Sequence, residues 1–112
     1  MSRLFPPGLS LRVEFCMLRS TREIILRIPD TDVLVPVHLM LGGSKVEEAY
    51  DKEARRFVSR FLQSGADLWV WVPGVYCKFL LGGFPGAAVP GQILVGGVNL
   101  AEKLADLGYL DP

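Results

Sequence analysis

Six side chains of the types that contact nucleic acid stand out in this chain: Arg12, Arg22, Arg27, His38, Tyr76 and Lys78. Guanidinium and ammonium groups neutralise phosphates, and a tyrosine ring can stack on a base. In the first strands Arg3, Arg12, Arg19, Arg22 and Arg27 outnumber Glu14 and Glu23. That excess is either a weakly basic face or a set of solvated strand and turn residues, and the second reading is the simpler. Trp69 and Trp71 share a strand face, so they are either packing groups or, if exposed, a protein-contact surface or stacking platform. His38 sits opposite the Val35, Val37 and Leu39 row. It is either a surface histidine or a group on a binding face, with no obvious residue to orient it as an acid or base.

Metal and cofactor chemistry has little to work with. The two cysteines, Cys16 and Cys77, match no metal spacing, and there is a single histidine, so no zinc site and no cofactor are expected. The cysteines read as buried free thiols in a reducing compartment. The stretch Gly82 to Gly91 is uncharged and rich in Gly and Pro. It offers no cation and no Walker spacing for a phosphate. Its apolar members, Phe84 and Val89 among them, suit a loop that orders on a protein partner or on a second copy, or a simple connection.

These residues must be positioned by one domain, residues 1–112. The chain has 112 residues, half of them hydrophobic, and 12 basic residues balance 12 acidic ones. That composition folds around one core and carries no strong charge toward a polyanion. Ten of the 12 basic residues precede position 61. No apolar run approaches the roughly 18 residues of a membrane span. The first residues lack the apolar region of a signal peptide, so a cytoplasmic protein is expected, with a virion or larger assembly also compatible.

Alternation from Leu11 through Met17 predicts a strand, Glu23 to Ile28 a second, and Val33 to Leu41 a third. Pro36 removes a ladder donor and predicts an edge or bulge there. Ser44-Lys45-Val46-Glu47 has the form of a capping box, followed by Tyr50, Ala54, Phe57, Val58, Phe61 and Leu62 at helical spacing. Leu68 to Val72 is a fourth strand, Val75 to Leu81 an extended segment, and Gln92 to Val95 a short strand. Gly96-Gly97 then turns, and Asn99 caps a last helix with Leu100, Leu104 and Leu107 on its apolar face. The order predicts an α+β fold: an OB-fold five-stranded β-barrel with a helix after strand three and a C-terminal helix.

Three segments resemble the staphylococcal nuclease-like (thermonuclease) family. Glu48-Ala49-Tyr50-Asp51-Lys52-Glu53-Ala54-Arg55-Arg56-Phe57 is similar to the start of its first helix. Ala66-Asp67-Leu68-Trp69-Val70-Trp71-Val72 is similar to its helix-to-fourth-strand step. Val98 to Leu110 carries Asn99, Ala101, Glu102, Leu104 and Gly108 in the N-x-A-E-x-L-x-x-x-G pattern of the Tudor-nuclease repeats, which serve largely as binding modules. The resemblance covers roughly residues 10 to 110.

It implies the family's calcium-dependent phosphodiester chemistry only if the catalytic groups are present. Aligned on the third strand, the first essential arginine falls at His38, a metal-binding Asp at Gly43, and the Glu near Val46 or Glu47. The early metal-binding Asp falls near Ser20-Thr21. The second arginine falls at Val89-Pro90-Gly91, within a span from Lys78 to Lys103 that contains no other Lys or Arg. The resemblance therefore implies a scaffold without its chemistry: no enzyme, but a non-catalytic binding or assembly module. A protein partner or self-association fits the apolar loop and neutral charge. A weak single-stranded nucleic-acid binder or a divergent metal-dependent nuclease are the alternatives, and no membrane role is expected.

Overall fold

The computed structural model describes residues 8–77 and 88–111. The elements run β1 (Gly8–Leu18), β2 (Glu23–Arg27), β3 (Leu34–Leu39), β4 (Lys45–Val46), α1 (Asp51–Leu62), β5 (Leu68–Pro73), β6 (Val89–Val95), β7 (Val98–Asn99), α2 (Leu100–Asp106) and β8 (Leu110–Asp111). β1 pairs antiparallel with β2 and with β5, β2 with β3, and β5 with β6. A parallel contact between β3 and β6 closes the ring. The result is a closed five-stranded barrel of OB type with two helices, the α+β architecture that the pattern of the sequence predicts.

Alternation places the interior. Ile24 and Leu26, then Val35, Val37 and Leu39, then Leu68, Val70 and Val72, then Ile93 and Val95 all lie in one buried cluster. Burying each such side chain contributes about 1.5–3 kcal/mol relative to leaving it in water. Ala54, Val58 and Leu62 recur every four residues along α1, and Leu100, Ala101 and Leu104 line α2. Both apolar faces join the same core. Phe57 and Phe61 stack on α1 at 5.2 Å, and Tyr109 bridges Phe57 and Tyr50 at 6.3 and 6.0 Å.

Several local expectations are corrected. The β1–β2 register shifts between Phe15 and Met17. That one extra residue leaves Met17 51% exposed, because a bulge moves the following side chains to the opposite face. The apparent capping box caps nothing: Lys45 and Val46 pair with Asp111 and Leu110, and Glu47 N–H donates to the Tyr109 carbonyl at 2.8 Å. A 3₁₀ turn over Glu48–Tyr50 then leads into α1, whose N-cap Tyr50 makes no side-chain cap. Gly74–Tyr76 is a 3₁₀ turn where an extended segment was expected; residues 78–81 lie outside the described residues. Val89, Pro90 and Gly91 belong to β6 and not to a loop, because Val37, His38 and Leu39 supply a parallel partner strand.

Three expectations hold in detail. β6 contacts β3 only from Val37 onward, so Pro36 occupies the free edge of the first half of β3. Gly96 and Gly97 both take positive φ, 56° and 87°, in the two-residue turn joining β6 to β7. Asn99 then caps α2, its side-chain oxygen accepting from Glu102 N–H at 3.1 Å.

Candidate binding surfaces

The strand register distributes the candidate residues and does not gather them. Arg12 points outward from β1 and donates to Asp67 at 2.9 Å, with both side chains more than half exposed. Arg27 stands across from Glu14 in the β1–β2 register and donates to it at 2.9 Å. That hydrogen bond, reinforced by the Glu14 charge, raises the Arg27 pKa further above its ordinary value. The two outward arginines of the first strands are therefore already matched by carboxylates. Arg19 is matched as well, by Glu23 at 3.0 Å. Such exposed pairs contribute little to stability, but they cancel the local excess of positive charge that the sequence displays.

Arg22 differs. It stands beside Ser20, whose Oγ accepts from Arg22 N–H at 3.3 Å and from Glu23 N–H at 3.0 Å. Its Nε is buried without a hydrogen-bond partner. The neighbouring Thr21 is 2% exposed, and its hydroxyl donates to Asp51 Oδ1 at 2.9 Å, tying the β1–β2 turn to the first residue of α1. His38 is half-buried on the outer side of β3, across from Glu23 on β2 and beside Pro90 on β6. Tyr76 is half-buried in the turn after β5. Lys78 and Phe84 lie outside the described residues. Val89, the other candidate for a partner loop, is a correction: it is 6% exposed and part of the core, because its pairing with Val37 turns it inward.

The tryptophans separate. Leu68, Val70 and Val72 fill the barrel, so Trp69 and Trp71 both lie on its outer side. Trp71 is 7% exposed and lies against the Gly8 backbone. Trp69 is 41% exposed, flanked by Arg12 on β1 and Leu94 on β6. One tryptophan therefore covers the sheet while the other faces out of it. The cysteines are free, but Cys16 is exposed at the β1 bulge and Cys77 is half-buried, which corrects the expectation of two buried thiols.

An open groove runs between β1, the β2–β3 turn and the α1–β5 turn. It mixes Arg12 with Glu14, Asp30 and Asp67, so it presents no single sign of charge. Among the described residues no group of three His, Cys, Asp or Glu side chains could hold a metal ion. No helix among them is long and apolar enough to cross a membrane.

The acceptors Asp67, Glu14 and Asp51 are the residues that sequence reasoning missed. Glu14 and Arg27 become partners only once the β1–β2 register is known, and Arg12 reaches Asp67 across 55 residues of chain. No protein-family model matches this chain, and no curated protein matches it.

Proposed function

We propose that this chain is a non-catalytic binding or assembly module on a nuclease-like OB barrel, and that it engages protein, either a partner or a second copy. The observation that carries the reading is the outer face of β1, β5 and β6. There Trp69 stands 41% exposed between Leu94 and an arginine that Asp67 already neutralises. Exposed tryptophan among apolar and arginine neighbours is the composition of protein-contact patches. A surface built for polyanions instead leaves its cations unpaired along a track.

The positions that the nuclease resemblance assigns to catalysis support the non-catalytic part. Gly43 has no side chain, Thr21 is occupied with Asp51, and Pro90 stands beside His38 in the sheet. A pair of carboxylates and a pair of guanidinium groups would be needed to bind calcium and neutralise the transferring phosphate. The described residues at those positions offer neither. A divergent nuclease would have to draw on groups such as Asp51 from outside the family pattern. A nucleic-acid binder would use Trp69 as a stacking platform.

Site-specific photo-crosslinking tests the reading. A benzoylphenylalanine at position 69 is expected to give adducts in the native host cell, while one at the exposed α1 position Lys52 gives none. The adducts are expected to keep their mass after DNase and RNase treatment. Adducts that collapse under nuclease would replace the protein reading with the nucleic-acid one.

A further inference from the structure

Arg22 is held through its backbone, while the buried Nε of its half-buried side chain has no acceptor among the described residues. Its carbonyl accepts from Leu39 N–H at 2.7 Å, its own N–H donates to Ser20 Oγ at 3.3 Å, and the adjacent Thr21 is anchored to Asp51. The bond to Leu39 continues the β2–β3 ladder one residue beyond the Glu23–His38 pair, so Arg22 stands opposite Leu39. Cross-strand partners project to the same face of a sheet. Leu39 is fully buried in the barrel interior, so the Arg22 side chain leaves the strand on that interior side. It sits at the end of the barrel where β2 begins, β3 ends and β6 begins.

An inward-facing cation at that place ought to be matched. Arg12, Arg19 and Arg27 each have a carboxylate within 3.0 Å, yet Arg22 forms no ion pair among the described residues, and its Nε is shut off from solvent with no acceptor. The carboxylate next to it in sequence, Glu23, is engaged with Arg19, and Asp51, which anchors the adjacent Thr21, is engaged with that hydroxyl. A partly desolvated guanidinium without a counterion is destabilising, and an apolar replacement relieves it. Proteins retain such groups where binding needs them. The fixed backbone also favours recognition, because a pre-positioned, partly sheltered charge interacts more strongly with the ion that reaches it.

We infer that Arg22 anchors a site for a single carboxylate, presented by an acidic side chain of the protein partner. This inference rests on the protein-binding reading above and supplies the chemistry of one contact. One planar carboxylate matches one guanidinium fork in size and charge. A phosphate chain does not, because its next phosphates would find no unpaired strand arginine beside it: Arg12, Arg19 and Arg27 are each held by a carboxylate.

The arginine Nε–Hε resonances of the nitrogen-15-labelled protein read the site directly, since a sheltered Nε–H exchanges slowly with water. The probes are the blocked tripeptide Gly-Glu-Gly, its Gly-Gln-Gly counterpart, and a deoxythymidine decamer. The Arg22 signal is expected to shift saturably with the glutamate peptide and to stay in place with the other two. Arg22→Lys is expected to weaken glutamate-peptide binding by about tenfold, as a point charge replaces a bidentate fork. Arg22→Met is expected to abolish the accompanying shifts at the Glu23 and Leu39 amides while leaving the melting temperature unchanged or higher. A structural role would lower the melting temperature of Arg22→Met, and that result overturns the inference. So does a glutamate peptide that causes no saturable shift up to its solubility, or a decamer that shifts the signal when the peptide does not. The two readings fail separately: undiminished, nuclease-resistant crosslinks from position 69 in Arg22→Met would keep the protein partner and remove Arg22 from the contact.

Discussion

At Gly91 the barrel has no room for a side chain. A Cβ there would lie 2.8 Å from the Trp71 carbonyl and 3.4 Å from a Val37 methyl, and a backbone oxygen cannot swing aside. Gly91→Ala is therefore expected to cost about 1–3 kcal/mol, measured by chemical denaturation, because closure requires β6 to approach both β5 and β3. Thr21→Val keeps the shape of a buried side chain but removes the donor to Asp51. It is expected to cost about 1–2 kcal/mol by the same measurement. By contrast, Arg27→Ala is expected to change stability by less than about 1 kcal/mol, since its pair with Glu14 is exposed to solvent. At this scale the sequence is only partly legible. The types of Arg12, Arg22 and Arg27 are visible in it, but which of them meets a carboxylate depends on strand register and on contacts such as Arg12 with Asp67, which sequence spacing does not encode.

At the level of elements, period-two and period-four patterns account for most of what is observed. The inward rows of β3 and β5 and the Ala54, Val58, Leu62 stripe of α1 are readable because burial selects apolar residues at those intervals. Asn99 is readable because few residues can accept from an N–H three positions on. Asn99→Ala is expected to cost about 1 kcal/mol and to lower the melting temperature, with α2 the first segment to lose hydrogen-exchange protection. Elements made by distant partners are not readable in this way. The bulge in β1 follows from its pairing with β2, and β4 exists because β8 returns to meet it. The Gly- and Pro-rich composition before Gln92 points to a loop, yet Val89, Pro90 and Gly91 form a strand because β3 lies beside them.

For the molecule as a whole, charge and closure decide what the barrel can do. The formal net charge is zero, and the outward arginines of β1 and β2 are paired. Long-range attraction for a polyanion is then weak, and the proposed binding would rely on a contact surface such as that around Trp69. The barrel scaffold is one that many proteins use for nucleic acids and sugars, so the fold alone does not choose the ligand. On the proposed reading its residues do, through the exposed tryptophan and the neutralised arginines. The most direct test is a titration of labelled single-stranded DNA and RNA with the purified protein, with and without Ca²⁺, read by anisotropy and then on a gel. Intact strands under both conditions and no salt-sensitive binding are expected; calcium-dependent cleavage would contradict the non-catalytic reading.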